Sequence, residues 1–203
     1  PVVRFVVDYA RAKNRTYKKS LRFALVSNLQ FMTDEILEYL TSNDVGLCTS
    51  LDGPKEVHDN NRGFGSYERV VKWINVIQNK YGKELSAILV VTKHSLPYAK
   101  EIVDEYLKWG FRTIQLKPIN KLGYAQDHWE YLNYSVQEFV QFWKEAMGYV
   151  FEHYDKIHEN IFTLMLRKIV LQQNGFFTEL QTPCGGIIGQ IAYAIDGTIY
   201  TCD

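Results

Sequence analysis

Short continuous apolar runs alternate along the chain with stretches in which apolar residues recur every three or four positions. Leu21–Val26, Val45–Leu51, Leu85–Thr92 and Thr113–Ile119 are runs of the first kind and read as buried strands. Between them lie three amphipathic stripes: Ile36, Leu37 and Leu40; Val70, Val71, Ile74 and Ile77; Ile102, Val103, Tyr106 and Leu107. Thr33 caps the first of these helices, with Asp34 and Glu35 in its opening turn. Ser66 caps the second, which stops at Gly82, and the third runs from Tyr98 to Trp109 before Gly110. An apolar segment ahead of them, Val2–Ala10, predicts one more helix, ended by the basic stretch 11–20, while residues 53–65 read as a loop. The order from residue 21 to 119 is β-α-β-α-β-α-β, which implies right-handed crossovers and a parallel sheet. Four strands are too few for a closed eight-stranded barrel. The predicted fold class is α/β, a partial (β/α) barrel without its first units.

Beyond Pro118 the pattern changes. Residues 120–134 form a polar, aromatic-rich loop, and Ser135 with Glu138 makes a capping box for a long helix carrying Phe139, Phe142, Trp143, Met147, Val150 and Phe151. A second helix spans about 160–173. Asp196-Gly197 between Ile191–Ile195 and Thr198–Cys202 predicts a hairpin with a two-residue turn, which sets Cys202 across from Ile191. The domain reading is 1–134 barrel, 135–180 helical connection and 181–203 the opening of a further β-structure.

Composition narrows the function without naming it. The 203 residues carry 23 basic and 23 acidic side chains with no long block of either sign, so general nucleic-acid binding is not expected. No run reaches the ~20 apolar residues that span a bilayer, and no membrane partner is expected. Three cysteines are too few for a disulfide scaffold, which points to a reducing, cytoplasmic setting.

Parallel sheets bind ligands at the carboxyl ends of their strands. Here that edge collects Ser27, Asn28, Ser50, Asp52, Thr92, Lys93, Lys117 and Asn120. The set suits a zwitterionic, ribose-bearing ligand, with carboxylates and amides for hydroxyls and cations for a carboxylate; the plainer account is that polar residues end strands everywhere. Cys184 and Cys202 could be half of a four-ligand metal or cluster site, or two buried thiols in an apolar hairpin, and the spacing alone favours the second. Cys48, in mid-strand, reads as core, and the five histidines, His58 included, read as surface residues.

One segment carries more. Ser50-Leu51-Asp52-Gly53-Pro54-Lys55-Glu56-Val57-His58-Asp59-Asn60-Asn61-Arg62 resembles the radical S-adenosylmethionine (SAM) enzymes related to anaerobic sulfatase-maturating enzymes. Cys184, twelve residues, Gly197, four residues and Cys202 resembles the opening of the SPASM (twitch-like) domain, whose cysteines bind auxiliary iron–sulfur clusters. The resemblance implies that Ser50, Asp52 and Arg62 lie near the SAM ribose and carboxylate. It also implies that Asn28 matches the asparagine ending the third barrel strand and that the backbone at Leu116 borders the adenine. Cys184 and Cys202 match auxiliary [4Fe–4S] ligands, and Asp203 stands where sulfatase-maturating enzymes carry an acidic general base. The Cys184–Tyr193 and Thr201-Cys202-Asp203 segments are also similar to maturases of the His-Xaa-Ser peptide system. The partner implied is a peptide or protein substrate.

The three cysteines do not form the family's Cys-x3-Cys-x2-Cys motif. The sequence is therefore read as a central fragment of a longer maturase, inactive alone and binding neither SAM nor cluster by itself. The competing reading is a catalytically silent α/β peptide-binding domain with buried structural cysteines; a metal-independent barrel enzyme ranks last, since no acid–base pair is present. The substrate, the residue modified, the number of auxiliary clusters and the oligomeric state stay open at this stage.

Overall fold

The computed structural model describes residues 2–173, 177, 180–186 and 188–202. The chain divides into two compact units, Pro1–His158 and Glu159–Asp203, each considered by itself below.

In the first unit, helix α1 (Val2–Tyr17) runs through the basic stretch expected to end it. It is followed by β1 (Phe23–Ser27), α2 (Asp34–Ser42) and β2 (Val45–Ser50). Thr33 caps α2 as expected, its hydroxyl accepting from the Ile36 amide. The expected loop after β2 is instead helix α3 (Lys55–Arg62). Its one apolar residue, Val57, leaves no periodicity to read, and its other buried position is filled by His58. Helix α4 (Ser66–Asn75) continues as a π-helical turn through Lys80. Gly65, at φ 76°, stands at its N-cap, so Ser66 is the first helical residue and not the cap. Asp59 of α3 does the capping, accepting from the Tyr67 amide (2.8 Å) and the Ser66 hydroxyl (3.2 Å).

Strand β3 (Leu85–Val91), a 3-10 turn (Lys93–Tyr98) and α5 (Ala99–Lys108) come next. The last expected strand is broken in two, β4 (Thr113–Ile114) and β5 (Leu116–Pro118). The expected loop 120–134 contains two single-turn helices, α6 (Tyr124–Asp127) and α7 (Trp129–Leu132). Ser135 and Glu138 form the expected capping box of α8 (Val136–Glu152). At the end of α8, Tyr149 donates to Asp104 (2.8 Å), tying that helix to α5. His153 is the C-cap of α8, and His158, at the start of β6 (His158–Glu159), donates its amide to the Arg112 carbonyl.

β1, β2, β3 and β5 form one parallel sheet in that order, with Phe23 beside Val45, Leu47 beside Leu85 and Leu89 beside Leu116. A constant strand order with right-handed crossovers puts all the connecting helices on one face. The burial alternation follows: Val45, Leu47, Thr49, Leu85, Ala87, Leu89 and Val91 are buried against that layer, where Leu37, Leu40, Ile74, Ile102 and Tyr106 complete the core. Gly46 and Ser86 on the opposite face are exposed, and Cys48, Ser50, Ile88 and Val90 are only half-buried. Cys48 is thus not the core residue expected. A continuous apolar run does not tell a sheet covered on both faces from one covered on a single face.

The second unit holds α9 (Asn160–Leu171), with Glu159 capping it through the Phe162 amide, and a hairpin of β7 (Ala192–Tyr193) and β8 (Ile199–Tyr200). Ala192 faces Tyr200, so Ile191 faces Thr201 and not Cys202. The turn is one residue longer than expected: the Ala194 amide donates to the Thr198 carbonyl, and Gly197 at φ 86° closes a three-residue loop.

Candidate functional site

The carboxyl ends of β2, β3 and β5 are fastened together by side chains. The ladder runs one residue past β2, with the Leu51 amide donating to the Ile88 carbonyl (3.0 Å). The buried hydroxyl of Tyr106 then donates to the Leu51 carbonyl (2.9 Å). Burial holds that phenol far above its ordinary pKa, so it stays a donor. Gly53, at φ 130°, turns the chain away, and a Cβ built there would stand 2.7 Å from Ile102 Cγ1. On the other side Tyr134 receives the Ile119 amide (3.0 Å) and donates to the Val91 carbonyl (3.1 Å), joining the ends of β3 and β5.

Asp52 is the centre of this rim. It is 1% exposed, and its carboxylate accepts from Arg62 Nε (2.7 Å) and Nη2 (3.0 Å), Asn61 Nδ2 (3.3 Å) and the Val90 amide (3.1 Å). The last of these replaces a strand carbonyl where β2 has left the sheet. Asn61 in turn accepts from the Thr92 hydroxyl (2.7 Å), and the Thr92 amide is held by Ser95 Oγ (3.1 Å). A buried carboxylate with four donors is satisfied, and the arrangement fixes the guanidinium that shares it. Arg62 is the more open partner, its side chain 27% exposed, and Nη1 has no partner among the described residues.

A cleft of about 440 Å³ opens beside this assembly, lined by Asp52, Asn61, Arg62, Thr92, Lys117 and Asn120, with Leu122, Tyr124 and Leu132 along one wall. Of the residues anticipated from sequence, it gathers Asp52, Arg62, Thr92, Lys117 and Asn120. Ser50 sits at the half-buried end of β2 and Asn28 at the exposed end of β1, the edge strand; neither lines the cleft. The Asn28 side chain accepts from the Gln30 amide (3.2 Å) in a local turn. Leu116 is buried and does not line the cleft, whereas Lys117 beside it does. A larger cleft, about 800 Å³, lies at the opposite end of the sheet among Arg11, Arg15, Lys19 and Arg22, away from the strand ends where parallel sheets bind ligands.

Sequence reasoning placed Thr92 at this edge but missed Asn61 and His58 as members of the assembly. The expectation that His58 is a surface residue is corrected: it is fully buried, and its Nδ1 accepts the Asp52 amide (3.2 Å). Only its position inside the resembling segment hinted at this.

Cys184 and Cys202 are exposed free thiols. A Cβ built on Gly186 would have Cys184 Sγ at 3.7 Å and the Thr201 carbonyl at 3.8 Å, so the first cysteine lies against the strand end that carries the second. Thiolates are the ligands of tetrahedral sulfur and iron–sulfur sites, and here one thiol and the backbone next to the other border the same glycine. Among the described residues no group of three or more metal-ligating side chains occurs, and Asp203 lies outside the described residues. No described helix is long and apolar enough to cross a membrane.

No family model matches the chain. It is 23% identical over 192 residues to a cysteine-type anaerobic sulfatase-maturating enzyme of Clostridium perfringens, covering 89% of this chain and 49% of that one. It is 30% identical over 112 residues to the serine-type enzyme of Bacteroides thetaiotaomicron, covering 53% of this chain and 26% of the other. The chain thus spans about half the length, or less, of the curated relatives it matches. A structure of anSMEcpe with bound AdoMet and the Kp18Cys peptide superposes with a TM-score of 0.78 at 19% identity, over 99% of this chain and 57% of that one. These two relatives are anaerobic sulfatase-maturating enzymes, and the fold of this chain is the α/β partial barrel seen in the anSMEcpe structure.

Proposed function

We propose that the chain is the central part of a radical SAM maturase that modifies a residue of a peptide or protein substrate. The observation that carries the reading is the Asp52–Arg62 pair at the strand ends, built by the same segment that resembles the family. In this reading Arg62 offers its free Nη1 edge to the SAM carboxylate while Asp52 holds the guanidinium in place. Ser50, Asn28 and the backbone at Leu116 supply further contacts to ribose and adenine, and Lys117 and Asn120 bound the cleft. Cys184 and Cys202 are two of the four ligands of an auxiliary [4Fe–4S] cluster, and Asp203 is the general base. Reductive SAM cleavage, when SAM and a reduced cluster are bound, supplies the radical that removes hydrogen from the substrate. What this chain's own residues do is bind, orient and exclude water.

The three cysteines of the sequence cannot build the Cys-x3-Cys-x2-Cys site, so the 203-residue chain alone is expected to make no 5′-deoxyadenosine. The protein is expected to work in the cytoplasm. The test is SAM binding by the complete gene product, purified without oxygen, against its Arg62→Ala variant. The expected result is a loss of about tenfold or more in SAM affinity, as for removal of one charged hydrogen-bonding partner, with iron content unchanged. Equal affinities would remove Arg62 from the site. A protein with neither iron nor SAM binding would instead be the silent peptide-binding domain.

A further inference from the structure

His58 is a fully buried titratable group that the proposed chemistry does not use. It lies on α3, one turn below Arg62, and its ring is packed edge-on against Tyr67 of α4, with centroids 6.0 Å apart. Nδ1 accepts the Asp52 amide at 3.2 Å, so the proton of the neutral ring belongs on Nε2. Nε2 is buried and has no partner among the described residues. That leaves a single directional tie between the ring and its surroundings, and the tie is to the backbone of the residue whose carboxylate holds Arg62.

We propose that His58 is a positioning residue: as the Nε2–H tautomer it fixes the Asp52 backbone and, through the Asp52 carboxylate, the direction of the Arg62 guanidinium. The peptide unit between Leu51 and Asp52 is pinned from both sides, its carbonyl by Tyr106 and its amide by His58. With neither end free, the carboxylate has one place to stand and four donors waiting there. The charged groups around the ring are Asp52 and Arg62 at the rim, Asp59 on its own helix and Glu105 on α5. Burial outweighs the attraction of the three carboxylates and lowers the His58 pKa below its ordinary 6.5, which keeps Nδ1 an acceptor at neutral pH. Protonation would turn Nδ1 into a donor facing a donor, and the tie would open. The consequence for SAM binding rests on the reading of Arg62 given above; the consequence for Arg62 itself does not.

The test is long-range proton–nitrogen NMR on the labelled 203-residue chain without any ligand, from about pH 8 to about pH 5. His58 is expected as the Nε2–H tautomer, titrating below 6.5, with the protected Arg62 Nε–H signal disappearing in step. Two variants separate the tie from the packing. His58→Asn puts a carbonyl oxygen near the place of Nδ1 and is expected to keep the Arg62 signal; His58→Phe keeps a ring but no acceptor and is expected to lose it. The reverse outcome, or an Nδ1–H tautomer in the wild type, overturns the proposal. Should a variant not fold, the wild-type titration decides: an Arg62 signal indifferent to His58 protonation also overturns it. Failure of SAM to bind at any pH would count against the proposed function alone, because the Arg62 signal is read without SAM.

Discussion

The rim around Asp52 and the segment around Cys184 and Cys202 are the two places where this chain concentrates chemistry, and they are built in opposite ways. At the rim, Asp52, Asn61, Thr92, Ser95, Tyr106 and Tyr134 satisfy one another and the strand ends, leaving Arg62 with one unused edge. Around the cysteines, the hairpin strands are two residues each, and Ile188, Tyr193, Ile195 and both thiols are exposed. A wired site cannot lose a member without loss of stability, whereas an open one can lose its functional atoms at little structural cost. Binding and folding are therefore entangled at the rim and separable at the cysteines.

The strongest way to break that contrast is Gly53→Ala. The new Cβ would meet Ile102 at 2.7 Å in a backbone conformation that side chains disfavour, so a loss of about 3 kcal/mol or more is expected in denaturant unfolding. Asp52→Ala comes next, at about 2–4 kcal/mol, because it strands the Val90 amide and unpairs Arg62; the lower part of that range reflects the partial exposure of Arg62. Tyr106→Phe removes one buried hydrogen bond and should cost about 1–2 kcal/mol while SAM affinity falls with it.

A smaller effect follows from pH. His58 has its pKa lowered in the fold, so the unfolded chain binds the proton more readily and stability must fall as pH drops below 6.5. His58→Asn should flatten that dependence in thermal melts recorded across the range. The smallest effect sharpens the other side of the comparison. Cys184→Ser and Cys202→Ser should leave unfolding within about 0.5 kcal/mol of wild type, yet lower the iron bound by the complete gene product. A large loss of stability without a change in iron would mean that the cysteines are structural.

The strands, the three crossover helices and two caps were legible because each rests on local signals: apolar runs, the spacing of Val70, Ile74 and Ile77, Thr33 before an acidic turn, and Ser135 with Glu138. Helix α3 was not, since Lys-Glu-Val-His-Asp-Asn-Asn-Arg carries almost no apolar signal and its buried face is closed by polar bonds to distant partners. The same physics hid His58 and Asn61, whose partners lie up to 31 residues away. The hairpin register slipped by one because Asp-Gly favours a two-residue turn, while here the Ala194–Thr198 bond selects three. Cys48 was misplaced because the run Val45–Leu51 does not reveal that only one face of the sheet is covered.

The central claim is that this chain supplies the SAM cradle of a radical SAM maturase. It is tested most directly by supplying dithionite and SAM to the anaerobically purified complete gene product and measuring 5′-deoxyadenosine, beside the Arg62→Ala variant. The account predicts an iron-containing protein that forms 5′-deoxyadenosine, with the variant bearing the same iron and forming far less at limiting SAM. An iron-free protein that leaves SAM intact would contradict it.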